Sequence, residues 1–174
     1  MKELKDYVRT IPDYPHEGIM FRDVTSVIQD PDGLKLAIDS MLNCVKDLEF
    51  DKVVGPESRG FVFGMPIAYL LNKGFCMVRK KGKLPYKTIE ASYELEYGSA
   101  TVEMHIDAIK PGEKVVIIDD LIATGGTLEA IIEMVEKLGG EVVKIVTLME
   151  LCGIPHKEKL SKYNMESVIS YEGK

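Results

Sequence analysis

The sequence predicts an α/β fold, an open and mostly parallel sheet flanked by helices. Three observations predict it. Val115 to Ile118 are four β-branched residues in a row, ahead of two carboxylates, Asp119 and Asp120; that is how a strand buried on both faces reads. Short apolar runs alternate with helical patterns from about Lys52 onward, the rhythm of βαβ units. Glycine pairs fall where helices should close, as at Gly139-Gly140.

The elements follow in order. Lys2 to Arg9 has room for one or two helical turns. Ile11 to Gly18 (IPDYPHEG) holds two prolines and a glycine and reads as a loop. Asp30-Pro31 starts a helix, with an acidic N-cap and proline at the first position. Leu34, Ile38, Met41, Val45 and Leu48 then recur at helical spacing as its buried face. Lys52 to Gly55 is a buried strand, PESRG a turn, and Phe61 to Leu71 a helix that Gly74 ends. Phe75 to Val78 is a second strand. Lys114 to Asp120 is the clearest strand, LIATGG a loop, and Thr127 to Leu138 a helix. Glu141 to Leu151 and Glu166 to Tyr171 complete the sheet.

Residues 79–105 break the rhythm. Their first part is basic, with Gly82 and Pro85. The second alternates apolar and polar residues around Gly98, as two antiparallel strands do. A long excursion of this kind in an α/β domain acts as a lid over a site.

Composition narrows the function. The chain has 174 residues, which is one domain spanning 1–174, with no visible repeat or linker. Its longest apolar stretch, Gly60 to Leu71, is 12 residues, against the roughly 20 that a spanning helix needs. A membrane protein is therefore not expected. The net charge of −6 argues against a general nucleic-acid binder. Cys44, Cys76 and Cys152 are far apart and odd in number, which suits a reducing cytoplasm better than a disulfide framework. His16, His105 and His156 have no metal spacing and read as surface or loop residues.

The chemistry concentrates in VVIIDDLIATGGT, Val115 to Thr127. Ligands of open parallel sheets sit beyond the carboxyl ends of the strands, where Asp119 and Asp120 fall. The glycines let backbone approach a ligand, and free amides at the helix start point at it. The loop suits a phosphate, and the carboxylates suit sugar hydroxyls or a metal. The segment is neither a Walker A loop nor a G-x-G-x-x-G fingerprint.

Acidic pair plus loop resembles the 5-phosphoribosyl-1-pyrophosphate (PRPP) motif of type I phosphoribosyltransferases. IPDYP, GIMFRD (Gly18 to Asp23), PESRGFVFG (Pro56 to Gly64), RKKGKLP (Arg79 to Pro85), ASYELEYG (Ala91 to Gly98) and DDLIATGGT then occur in the order seen in the adenine phosphoribosyltransferase family. The resemblance spans Ile11 to Leu151. It implies purine salvage: ribose 5-phosphate passes from PRPP to adenine through an oxocarbenium-like transition state, giving AMP and pyrophosphate. It also implies Mg²⁺, carried by PRPP and in contact with Asp119 at most, and a homodimer.

The resemblance also assigns roles. Asp119 and Asp120 face the ribose, and Ala123, Thr124, Gly125, Gly126 and Thr127 hold the 5′-phosphate. Ser58, Arg59, Arg79 and Lys83 meet the pyrophosphate, with a cis peptide at Glu57–Ser58. Met20, Phe21 and Arg22 line the adenine pocket under a hood formed by residues 1–30, with Phe21 stacking on the base. Glu96 is the catalytic carboxylate near the purine, placed to stabilise or exchange a proton of the base. Lys80 to Glu96 belong to a flexible lid, residues 79–105. Glu57 stands where the family often has Asp, and Met20 where a smaller branched residue is usual. Three of the chain's four arginines, Arg22, Arg59 and Arg79, fall on these motifs, and guanidinium suits phosphate oxygens. Tyr97 could position substrate or merely pack. Two rivals stand beside this reading: a phosphoribosyltransferase for a 6-oxo purine, and a regulator that binds PRPP without turnover.

Overall fold

The fold builds outward from β7 (Lys114–Ile122) in a computed structural model that describes residues 2–173. β7 pairs in parallel with β3 (Lys52–Pro56) on one side and β8 (Glu141–Leu151) on the other. β4 (Gly74–Lys80) continues the parallel sheet beyond β3, and β9 (Met165–Tyr171) beyond β8. Val115 and Ile117 enter one core while Val116 and Ile118 enter the other. That alternation is the signature of a strand covered on both faces.

The first core is closed by α4 (Gly126–Lys137), through Leu128, Ile131 and Val135. The second is closed by α2 (Pro31–Asn43) and α3 (Arg59–Leu70), through Ala37, Met41, Phe63 and Ile67. The N-cap of α2 is as expected: the Asp30 carboxylate accepts from the amides of Asp32 and Gly33. β5 (Thr88–Glu94) and β6 (Ser99–His105) pair antiparallel around Gly98, also as expected. They do not stand apart as a flap. β6 pairs antiparallel with β4, so the seven-stranded sheet runs β5-β6-β4-β3-β7-β8-β9. Val102, Glu103 and Met104 are buried in it, while Leu95 and Tyr97 at the tip are exposed.

Three expectations need correction. Residues 11–18 are not all loop: β1 (Arg9–Pro12) and β2 (Met20–Asp23) form an antiparallel hairpin. The buried row of α2 is Gly33, Ala37 and Met41, continued by Val45, whereas Leu34 and Ile38 are only partly buried and Leu48 is exposed. Small residues occupy this row because α2 lies close to its neighbours: a Cβ at Gly33 would sit 2.9 Å from the Tyr7 ring. Finally, Asn72 ends the α3 segment with a left-handed φ of 55°, and Gly74 opens β4.

Candidate active site

β7 carries Asp119 and Asp120 near its carboxyl end and runs on to Ile122, which draws both carboxylates into the protein. They are only 8% and 5% exposed. The Asp119 Oδ1 accepts the Asp120 amide at 2.8 Å. Burial, and then the Asp120 charge beside it, push the Asp119 carboxyl well above its ordinary value. Asp120 Oδ2 lies 2.8 Å from Arg59 Nε, but the N–H does not point at it, and this buried oxygen has no hydrogen bond. The oxygen is therefore ion-paired with Arg59 but still free to accept a well-aligned hydrogen bond.

Two adjoining cavities open at this strand end, about 230 Å³ and 330 Å³. Asp119, Leu121, Thr127 and Tyr93 border both, which makes them one cleft. The first takes in Glu57, Ser58, Arg59 and Lys80. Ser58 and Arg59 stand where β3 turns into α3, and the Glu57–Ser58 peptide is cis, as the resemblance implied. The second cavity is floored by Ala123, Thr124, Gly125 and Gly126 and faced by Glu96 from the β5–β6 turn.

The loop conformation depends on its glycines. Gly125 has φ +85°, and a Cβ there would lie 2.2 Å from Leu160 Cδ1. A Cβ at Gly126 would meet the Tyr93 ring at 2.9 Å. Only glycine allows that conformation and approach at low cost.

The structure therefore brings together Ser58, Arg59, Glu96, Asp119, Asp120 and residues 123–127. The other five expected site residues line neither cavity. Arg79 Nε lies 3.3 Å from Glu57 Oε1, and its NH1 donates to the Lys83 carbonyl. The Lys83 amide is held by the buried Glu103 carboxylate, which also accepts from Leu84. Phe21 packs edge-on against Tyr14. Arg22 stacks over the Tyr171 ring at 4.3 Å and donates to Thr10, tying the hairpin to β9; Met20 is exposed. Asp23 is held below the ordinary carboxylate range by the Thr25 hydroxyl and amide, and by the Arg9 and Arg59 cations.

Three residues, Lys80, Tyr93 and His156, had no role of their own in sequence reasoning, and Glu57 was noted there only as a departure from the family's Asp. Lys80, not Arg79 or Lys83, presents its side chain to the first cavity. Strand alternation from Val78 could have found it, since Val78 and Lys80 share a face. Glu57 accepts the Lys80 amide at 2.8 Å and so shapes the cation turn. Tyr93 divides the two cavities. His156 is not a plain loop residue: it is partly buried and contacts the Ala123 carbonyl and Glu150. No local pattern announces that contact, because its partners are 33 and 6 residues away.

Among the described residues no cluster of three or more His, Cys, Asp or Glu could hold a metal alone. The donor set at β7, two buried carboxylates with one open oxygen, fits Mg²⁺ shared with a phosphorylated substrate. Mg²⁺ typically takes one or two carboxylates and completes its shell from phosphate and water. Among the described residues no helix is long and apolar enough to cross a membrane.

Comparison with known proteins is consistent throughout. A family model described as "Phosphoribosyl transferase domain" matches residues 24–172. A protein of Agathobacter rectalis named adenine phosphoribosyltransferase is 64% identical over all 174 residues and the full length of both chains. The crystal structure of adenine phosphoribosyltransferase from Thermoanaerobacter pseudethanolicus superposes with a TM-score of 0.92 at 45% identity, covering 97% of this chain and 98% of that one. That of the Saccharomyces cerevisiae adenine phosphoribosyltransferase, complexed with an imino-altritol bisphosphate and adenine, gives 0.86 at 37% identity, covering 95% and 96%.

Proposed function

The chain belongs to the phosphoribosyltransferase family, and within it to the adenine phosphoribosyltransferases, and from that we propose that it converts adenine and PRPP to AMP and pyrophosphate. The observation that carries this reading is the pairing of two buried carboxylates with a glycine–threonine loop on one strand end, in the cleft that Glu96 also faces. The yeast relative's complex with adenine supports the base.

The 5′-phosphate lies on the amides of Ala123 to Thr127, at the start of α4, whose N-terminal dipole favours an anion. Asp119 and Asp120 accept from the ribose hydroxyls. Ser58, Arg59 and Lys80 face the pyrophosphate, where Arg79 and Lys83 join them when the lid segment closes. Mg²⁺ carried by PRPP, which Asp119 would help to hold, would neutralise charge on the departing pyrophosphate. As the C1–O bond to pyrophosphate breaks, positive charge builds on the ribose and the two carboxylates stabilise it. A ring nitrogen of adenine forms the new bond to C1, and Glu96 takes up the proton that the base must release. Closing residues 80–96 over the cleft excludes the water that would otherwise capture the ribosyl centre. Met20, Phe21 and Arg22 complete the base site from the hood. A reducing cytoplasm suits the three free cysteines, and the functional unit is a homodimer.

The test is AMP formation from PRPP, Mg²⁺ and adenine, with guanine and xanthine as competitors. AMP should form from adenine alone, and Glu96→Ala should lower kcat by about 100-fold, within the range of general acid–base catalysis. No AMP with tight PRPP binding would overturn the transfer reading and favour a regulator. Preference for guanine or xanthine would overturn the base.

A further inference from the structure

A loop that binds an anion through its N–H groups must turn its carbonyls away from the site. Carbonyls turned inward need donors of their own. Two consecutive carbonyls of the phosphate loop find them in the segment after β8. His156 Nδ1 lies 2.6 Å from the Ala123 oxygen, and the Lys157 amide donates to the Thr124 oxygen at 2.7 Å. Leu160, three residues further, fills the space beside Gly125. Residues 156–160 thus back the loop on the side away from the cleft.

The second ring nitrogen ties His156 to β8. Nε2 lies 2.8 Å from Glu150 Oε1, and the two side chains are 21% and 28% exposed. The ring thus bridges the phosphate loop and the sheet through its two nitrogens.

We propose that His156 is a positioning residue for the 5′-phosphate: held between Ala123 and Glu150, its ring fixes the Ala123 carbonyl inward so that the loop amides face the phosphate. This rests on the reading above that the loop takes the 5′-phosphate of PRPP.

The test compares full-length wild type, His156→Gln and His156→Ala. Steady-state kinetics gives kcat and KM for PRPP and for adenine, and calorimetry gives Kd for AMP and for adenine. Loss of one hydrogen bond at the loop should raise KM for PRPP and Kd for AMP by about 10-fold, with a smaller change in kcat. Kd for adenine, which has no phosphate, should stay within twofold. Wild-type turnover with PRPP and AMP constants unchanged in both variants would overturn the inference alone. Equal weakening of AMP and adenine would also overturn it, since that marks general damage. Wild type that forms no AMP would instead overturn the transferase reading, and this inference with it.

Discussion

Two carboxylates side by side at a dry strand end repel each other until a donor or cation arrives. Asp119 bears the strain: burial first, and the Asp120 charge second, raise it above 3.8. A carboxyl raised in the folded state stabilises the fold at low pH. Its contribution is fully present below 3.8 and is lost as pH climbs through the raised folded value. Near neutral pH the pair therefore weakens the empty protein. Asp120→Asn removes the neighbouring charge and leaves Arg59, which is 46% exposed, to solvent. We expect Tm at pH 7 to rise by roughly 2–4 °C, the effect of about 1 kcal/mol in a domain of this size, while AMP formation falls sharply. The gain should shrink as pH falls and protonation of Asp119 removes the repulsion in wild type; a Tm at or below wild type at pH 7 would refute the account. At this scale the site was legible wherever its residues lie together in the sequence, as in Ser58-Arg59 and Asp119 to Thr127. Lys80 was legible but unread, since alternation from Val78 singles it out from Lys81 and Lys83; the site was illegible only where a long-range contact recruits His156.

Elements hold these side chains through a few backbone anchors. The turn carrying Lys83 is held by Glu103 on β6, which is 3% exposed and accepts the amides of Lys83 and Leu84 at 2.9 and 2.8 Å. Burial would raise this carboxyl, yet the amides of Leu84, Gly82 and Lys83 outweigh it and hold it below 4.5. Glu103→Gln exchanges a charged acceptor for a neutral one and turns an NH₂ toward amide donors, which costs about 1–3 kcal/mol. Cleavage of residues 80–96 by trypsin should then be several-fold faster than in wild type. PRPP with Mg²⁺ should slow cleavage in wild type and slow it less in the variant. Equal rates with and without PRPP in wild type would refute the closing lid, and a wild-type rate in the variant would refute the anchor. The strands of this segment were legible from their alternation about Gly98. Their union with the main sheet was not, because the register between β4 and β6 is set by packing. The β1–β2 hairpin was hidden for a different reason. Pro12, Pro15 and Gly18 carry the signals of a loop, and strands of four residues offer too little alternation to outweigh them.

Across the whole molecule, the face of α2 that the sequence marked as core has another use. Leu34 and Ile38 turn outward beside Pro66, Tyr69 and Leu70 of α3, bordering an open apolar cavity of about 390 Å³. Tyr69 is 83% exposed, Leu70 54% and Met65 50%. Single exposed apolar residues are ordinary, but a contiguous patch on two adjacent helices marks an interaction surface. In the proposed homodimer a second copy of the chain would cover it, meeting the same face across a two-fold axis. α3 would then link two functions, for Arg59 at its first turn borders the cleft while Tyr69 and Leu70 at its last turn would face the partner. A rigid helix fixed at one end holds its other end in place, so losing the partner should loosen Arg59 as well as expose Tyr69. Tyr69→Glu with Leu70→Lys puts a charge at each of the two most apolar contacts and leaves the cores untouched. Sedimentation should give twice the chain mass for wild type and the single-chain mass for the double variant at micromolar concentration. The monomer should keep its far-UV signal and bind PRPP less tightly, because the Arg59 end of α3 is no longer braced. A wild type that sediments as a monomer would refute the interface, and a monomeric variant with wild-type affinity for PRPP would refute the coupling through α3.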